Sequence, residues 1–207
     1  MTRIKCCGMT RVDDALLAAR LGADAVGLVF TARSRRQVTL PQAQAIVRAL
    51  PPFVASVALF MDDDAAWVRQ VVDAVQPALL QFHGGETDAW CAQFGRPFLK
   101  ALALGSGAAA LGEFHAYPHA AGLLLDGHAR GAAGGAGRRF DWSLPLPVTA
   151  QPLLLAGGLD ADNVAAAIAA LHPWGVDVAS GVESAPGIKS ADKLAAFIRA
   201  VRRAEAA

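Results

Sequence analysis

The chain has 207 residues, of which 54% are hydrophobic and 18% charged. Nineteen basic and eighteen acidic side chains leave a formal charge of +1. That balance excludes a basic nucleic-acid surface and an acidic tail, and the high apolar content excludes intrinsic disorder. Forty-six alanines supply much of the apolar fraction as helix-forming filler. The longest apolar run, 51–61 (PPFVASVALFM), is closed by Asp62. It has about half of the roughly 20 residues a membrane helix needs, so no membrane partner is expected. The opening MTRIKCCGMT lacks the apolar core of a secretion signal. Cys6, Cys7 and Cys91 form no disulfide framework, which predicts a cytoplasmic protein with reduced thiols.

Read in chain order, short runs rich in Val, Ile, Leu and Phe alternate with Ala/Leu-rich stretches of helical spacing. A strand at 3–7 is followed by a helix at 11–21, with Thr10 as a start signal and Gly22 as the stop. A strand at 24–29 leads to a helix at 41–50, where Thr39 stands two residues before Pro41. Strands at 54–60 and 78–82 precede helices at 64–76 and 86–94. The strand at 97–102 is followed by an irregular stretch, GSGAAALGEFHAYPHA, which predicts a degenerate helix. After the strand at 121–125 comes a glycine-rich segment, 127–139, of the kind that forms active-site loops. Strands at 152–155 and 175–178 are followed by helices at 160–171 and 190–203, with Asp160 and Ser190 as candidate N-caps.

The strand starts fall about 25 residues apart, the length of a compact βα unit. Alternating units imply a parallel sheet under helical cover. Eight of them predict a closed (β/α)8 barrel of the TIM type, one domain over residues 1–207. The runner-up is an open doubly wound sheet, but the GxGxxG of a dinucleotide binder is missing after the first strand.

Barrels of this kind place chemistry at the C-terminal ends of their strands. There the sequence puts Cys7, the basic loop 33–36, His83, Asp126, and the glycine turns 155–159 (LAGGL) and 179–183 (ASGVE). The last two turns suit phosphate, because glycine lets backbone N–H groups approach an anion closely. This makes Gly157, Gly158, Ser180 and Gly181 candidate phosphate ligands. Alternation along the first strand puts Lys5 and Cys7 on one face and Cys6 on the other. A lysine ammonium beside Cys7 would favour the reactive thiolate. No zinc-type Cys/His spacing and no nucleotide fingerprint is present, so neither metal nor cofactor is expected.

An ordered set of motifs resembles the phosphoribosylanthranilate isomerases of tryptophan biosynthesis. It comprises KCCGMT at 5–10, GLVF at 27–30, SRRQV at 34–38, QFHG at 81–84, LLLD at 123–126, GGAGRRFDW at 134–142, LAGGL at 155–159 and GVDVASGVE at 175–183. Cys6 replaces the family's hydrophobic residue before the cysteine, and Ala136 and Arg138 depart from its G-G-T-G-K loop. The resemblance implies an Amadori rearrangement of a phosphorylated small-molecule substrate, with Cys7 as general base and Asp126 as general acid. It also implies Arg36 on the substrate carboxylate, with Arg33 and Arg35 as competitors for that role. His83 would form a polar wall of the pocket or be a structural histidine. Asp177 would contact substrate or pair with Lys5. Gly134 and Gly135 join the expected phosphate ligands, whereas His128 is expected to be solvated. Cys6 and Cys91 are expected to be structural. The chain would work as a monomer or homodimer. Two other functions share the phosphate turns: another sugar-phosphate barrel enzyme, and a non-catalytic phosphometabolite-binding protein. Neither needs the thiol and the carboxylic acid together.

Overall fold

The computed structural model describes residues 1–127 and 141–205. Eight parallel strands close into a barrel in sequence order: β1 (Arg3–Cys6), β2 (Ala25–Val29), β3 (Ala55–Phe60), β4 (Leu79–Phe82), β5 (Phe98–Ala103), β6 (Gly122–Asp126), β7 (Leu153–Leu155) and β8 (Gly175–Val178). β8 returns to β1 in a register that sets Lys5 opposite Asp177. A short antiparallel hairpin, β9 (Glu183–Ala185) and β10 (Ile188–Lys189), lies beside the mouth. Six helices are present among the described residues: α1 (Val12–Leu21), α2 (Leu40–Ala49), α3 (Ala65–Val75), α4 (Asp88–Ala92), α5 (Val164–Leu171) and α6 (Ala191–Ala204). None is long and apolar enough to cross a membrane.

The barrel, and the degenerate layer after strand five, match expectation. Leu104–Glu113 winds as a 3₁₀ stretch. Its three glycines weaken α-helical propensity, and no apolar stripe compensates.

Several helix starts differ from the sequence reading. Thr10 does not cap α1; its hydroxyl donates to the Gly187 carbonyl at 2.5 Å instead. α5 begins at Val164, not at 160, because the Asp160 carboxylate accepts from the backbone N–H groups of Asp162 and Asn163 and holds a separate turn. Thr39 and Gln42 form a reciprocal capping box at α2, and Ser190 caps α6. Gly22 ends α1 at φ 104°, a conformation an L side chain adopts only with strain.

Strand alternation splits the core into two layers. Ile4, Cys6, Val26, Leu28 and their parity mates face the helices, while Cys7, Val57, Leu59, Leu99 and Leu124 face the barrel axis. On the helix-facing side an aromatic file runs across four strands. Phe30 stacks on Phe60 at 5.7 Å, and Phe82 lies 5.9 Å from both Phe60 and Phe98. Phe82 is fully buried at the centre of this file, where Trp90 and Phe94 also meet it. Phe82→Ala is therefore expected to cost about 3–5 kcal/mol in denaturant-induced unfolding. A loss below about 1 kcal/mol would show that the file is not a keystone of the core.

Candidate active site

The C-terminal ends of the strands surround a cleft that opens to solvent at its rim. Cys7, Arg36, His83, Asp126 and Asp177 all line it, as do Gly157, Gly158 and Ser180. Gly181 is not among the lining residues, and Gly134, Gly135 and His128 lie outside the described residues. Among the described residues no group of three His, Cys, Asp or Glu could hold a metal ion.

Cys7 follows β1 directly, and its N–H donates to the Val178 carbonyl at 2.8 Å. A Cβ on Gly27 would lie 2.7 Å from its sulfur, so glycine there makes room for the thiol. Lys5 sits one turn of the pleat below, its ammonium 2.9 Å from Asp177 and both groups buried. Burial pushes the Cys7 thiol up; Lys5 and Lys189 oppose that, while Asp177 adds to it, and the net direction is upward. The expected thiolate-favouring effect of Lys5 thus exists but is outweighed by desolvation. Cys6, on the helix-facing side, is pushed up to about 12 by burial. Burial likewise pushes Cys91 up to about 12.

Arg36 reaches the mouth from the loop after β2. A Cβ on Gly8, which sits at φ +73°, would approach the Arg36 side chain to 2.5 Å, so Gly8 clears its path. The guanidinium donates from Nε and Nη2 to the two oxygens of Glu183, at 2.8 and 2.7 Å. Nη1 and the second Nη2 hydrogen are not used in that fork. Lys189, fully buried, donates to Glu183 at 2.9 Å, to the Cys7 carbonyl at 2.6 Å and to the Ala179 carbonyl at 3.1 Å. Burial alone would raise the Glu183 carboxyl, but Arg36 and Lys189 hold it below its ordinary value. One Lys–Glu–Arg chain therefore links the ends of β1 and β8 to the arginine.

Asp126 ends β6, and its Oδ2 lies 3.5 Å from Nε2 of His83 at the end of β4. The loop after β4 is held from beneath. Buried Lys100 donates to the Gly84 carbonyl at 2.6 Å and to Glu86 at 2.8 Å. Glu86 in turn accepts from the Asp62 N–H at 2.8 Å.

The turn after β7 carries positive φ at Gly157 (84°) and Gly158 (65°). Asn163 locks it, donating to the Gly158 carbonyl at 2.9 Å and accepting from the Asp160 N–H at 3.1 Å. A Cβ on Gly181 would lie 2.0 Å from the Leu159 carbonyl, so Gly181 is what lets the last two turns pack together.

Sequence reasoning missed Lys189 and Lys100, which carry no motif. It quoted Glu183 and Gln81 inside motifs without giving them a role.

A closed (β/α)8 barrel with ionisable side chains and glycine turns around one mouth has the form of a TIM-barrel enzyme. The comparisons narrow this. Residues 4–200 match the family model for N-(5′-phosphoribosyl)anthranilate (PRA) isomerase. An N-(5′-phosphoribosyl)anthranilate isomerase from Pseudomonas fluorescens is 51% identical over 97% of this chain and 96% of its own. The crystal structure of phosphoribosyl anthranilate isomerase from Thermotoga maritima superposes with a TM-score of 0.90 at 37% identity, covering 98% of this chain and all of that one. A second solved isomerase is in complex with reduced 1-(o-carboxyphenylamino)-1-deoxyribulose 5-phosphate. Its TM-score is 0.85 at 34% identity, over 98% and 100% of the two chains. The chain belongs to the N-(5′-phosphoribosyl)anthranilate isomerase family.

The electrostatics around Cys7 give a prediction with two signs. Lys5→Met removes a cation and raises the Cys7 pKa further; Asp177→Asn removes an anion and lowers it. Thiolate ultraviolet absorbance against pH, taken as the difference from the matching Cys7→Ala protein, measures both. Shifts of the same sign in the two variants would contradict this electrostatic picture.

Proposed function

We propose that the chain converts N-(5′-phosphoribosyl)anthranilate to 1-(2-carboxyphenylamino)-1-deoxyribulose 5-phosphate, an isomerisation in tryptophan biosynthesis. The observation that carries this is a single cleft lined at once by Cys7, Asp126, Arg36 and the Gly157–Gly158 turn. The other two functions weighed from sequence have no use for the thiol and the carboxylic acid in one cleft.

In the proposed reaction Asp126 protonates the furanose ring oxygen. The C1′–O bond breaks, its electron pair stays on oxygen, and the anilino nitrogen lone pair forms an iminium with C1′. The Cys7 thiolate then takes the proton from C2′, and those electrons form an enaminol. Ketonisation moves one proton from the C2′ hydroxyl to the solvent or a base while C1′ gains one, so the net change is zero. Each positioned proton transfer contributes about 10²–10⁴-fold.

Arg36 holds the anthranilate carboxylate with the N–H groups that Glu183 leaves free. The turns at Gly157–Gly158 and Ser180–Gly181 take the phosphate through backbone N–H groups. Gly134 and Gly135 complete the phosphate site in this proposal. Asp177, which lines the cleft and also pairs with Lys5, is assigned to the sugar side of the substrate. His83 forms the wall beside Asp126. A cytoplasmic setting accords with free thiols at Cys6, Cys7 and Cys91, and residues 1–207 act as one domain.

A fluorescence turnover assay with phosphoribosylanthranilate tests the proposal. Cys7→Ala should nearly abolish turnover, while Cys6→Ala retains it. Asp126→Asn should lower kcat by about 10²–10⁴-fold. Preserved saturating turnover in Asp126→Asn would reduce Asp126 to a binding residue. Both a thiolate and a carboxylic acid are required, so kcat/KM follows a bell whose upper limb tracks the higher pKa. Because burial raises the Cys7 thiol, that limb should lie above the ordinary thiol range. An upper limb near neutrality would contradict the assignment of the base.

A further inference from the structure

Gln81 and His83 lie two residues apart, at and just past the end of β4, and both face the barrel axis. Gln81 is fully buried. Its Nε2 lies 3.0 Å from Nδ1 of His83. An amide nitrogen can only donate, so Nδ1 accepts and the ring proton of the neutral imidazole sits on Nε2. That Nε2 lies 3.5 Å from Oδ2 of Asp126, within ion-pair range and longer than a formed hydrogen bond. The His83 N–H also donates to the Phe60 carbonyl at 2.9 Å, which fixes the residue's backbone between β3 and β4.

We propose that Gln81 is a positioning residue: it fixes the Nε2–H tautomer of His83 and so aims a donor at the carboxyl of Asp126. The proposal rests on the assignment of Asp126 as the general acid. Its chemical sense lies in the moment after proton transfer. Once Asp126 has given its proton to the ring oxygen it is a carboxylate, and an N–H directed at it stabilises that charge. The opposite tautomer would present a lone pair to the same oxygen and oppose the transfer.

A second observation separates this role from a structural one. The Oε1 atom of Gln81 is buried and has no hydrogen-bond partner among the described residues. A buried acceptor left unpaired is a cost to folding. Among the described residues the side-chain hydrogen bond of this amide is the one to His83, so that contact accounts for a polar side chain here.

The test uses the full chain without substrate and reads the ring nitrogens of His83 by ¹⁵N NMR. The signals are assigned by their loss in His83→Asn. The parent should show a protonated Nε2 and an unprotonated Nδ1. Gln81→Glu keeps the shape but offers only acceptors, so Nδ1 should become protonated. Gln81→Met removes the contact and should release the tautomer preference. In both variants kcat should fall by about tenfold, the order of one hydrogen bond lost in the transition state, with KM changed far less. A parent ring protonated on Nδ1, or a tautomer unmoved in Gln81→Glu, would overturn the proposal whatever Asp126 does. A moved tautomer with kcat unchanged would overturn it too. Failure of Asp126 as the acid is read separately, from Asp126→Asn.

Discussion

The barrel closes where β8 pairs back onto β1, and at that seam Lys5 and Asp177 meet 2.9 Å apart inside the wall. Two charges taken out of water are tolerable only when they are held together. Without the closed sheet, neither partner would have a reason to be buried. Closure also sets the chemistry, because it brings residue 7 beside residues 177–180, although 170 or more positions separate them in the chain. The same ion pair sits next to the thiol. Its cation pulls the Cys7 pKa down and its anion pushes it up, and burial decides the net direction. Seam and thiol are thus one electrostatic unit.

Above the seam, the mouth is held by buried lysines that do the work of missing backbone partners. Parallel strands that run out into loops leave carbonyls without a ladder, and a buried carbonyl needs a donor. Lys189 supplies one to Cys7 and Ala179, and Lys100 supplies one to Gly84. Each ammonium is then balanced by one carboxylate, Glu183 or Glu86. Glu183 also accepts from Arg36, so the cleft-lining guanidinium is anchored through two buried charges to the backbone of the thiol. Asn163 does the equivalent for the Gly157–Gly158 turn with an amide. The flexible-looking parts of the mouth are fixed by polar groups that do not themselves face the cleft.

The eight strands were legible to within about a residue because both faces of a parallel barrel wall are buried, so each strand reads as a nearly continuous apolar run. The inward and outward faces of β1 followed from period-two alternation alone, which placed Cys7 and Cys6 in different layers. Helix starts were less legible wherever a side chain had two possible employments. Thr10 looks like a cap, but a tertiary partner, the Gly187 carbonyl, takes its hydroxyl. Asp160 caps a turn that precedes α5. Lys189 escaped entirely: it lies on a two-residue strand, and its partners at 7, 179 and 183 come together only in the fold. The direction of the Cys7 shift was also hidden, because adjacency of Lys5 is visible in the sequence whereas the degree of burial is not.

The proposed reaction requires one cleft to grip the two ends of an anthranilate-substituted sugar phosphate, with the thiol against C2′ and the carboxylic acid against the ring oxygen. A crystal structure of the chain with reduced 1-(o-carboxyphenylamino)-1-deoxyribulose 5-phosphate, the compound found in a solved relative, tests it most directly. The account predicts the phosphate on backbone N–H groups of the Gly157–Gly158 and Ser180–Gly181 turns, the aromatic carboxylate on Arg36, and the Cys7 sulfur against C2′. A phosphate seated away from both turns, or a ligand out of contact with both Cys7 and Asp126, would contradict it.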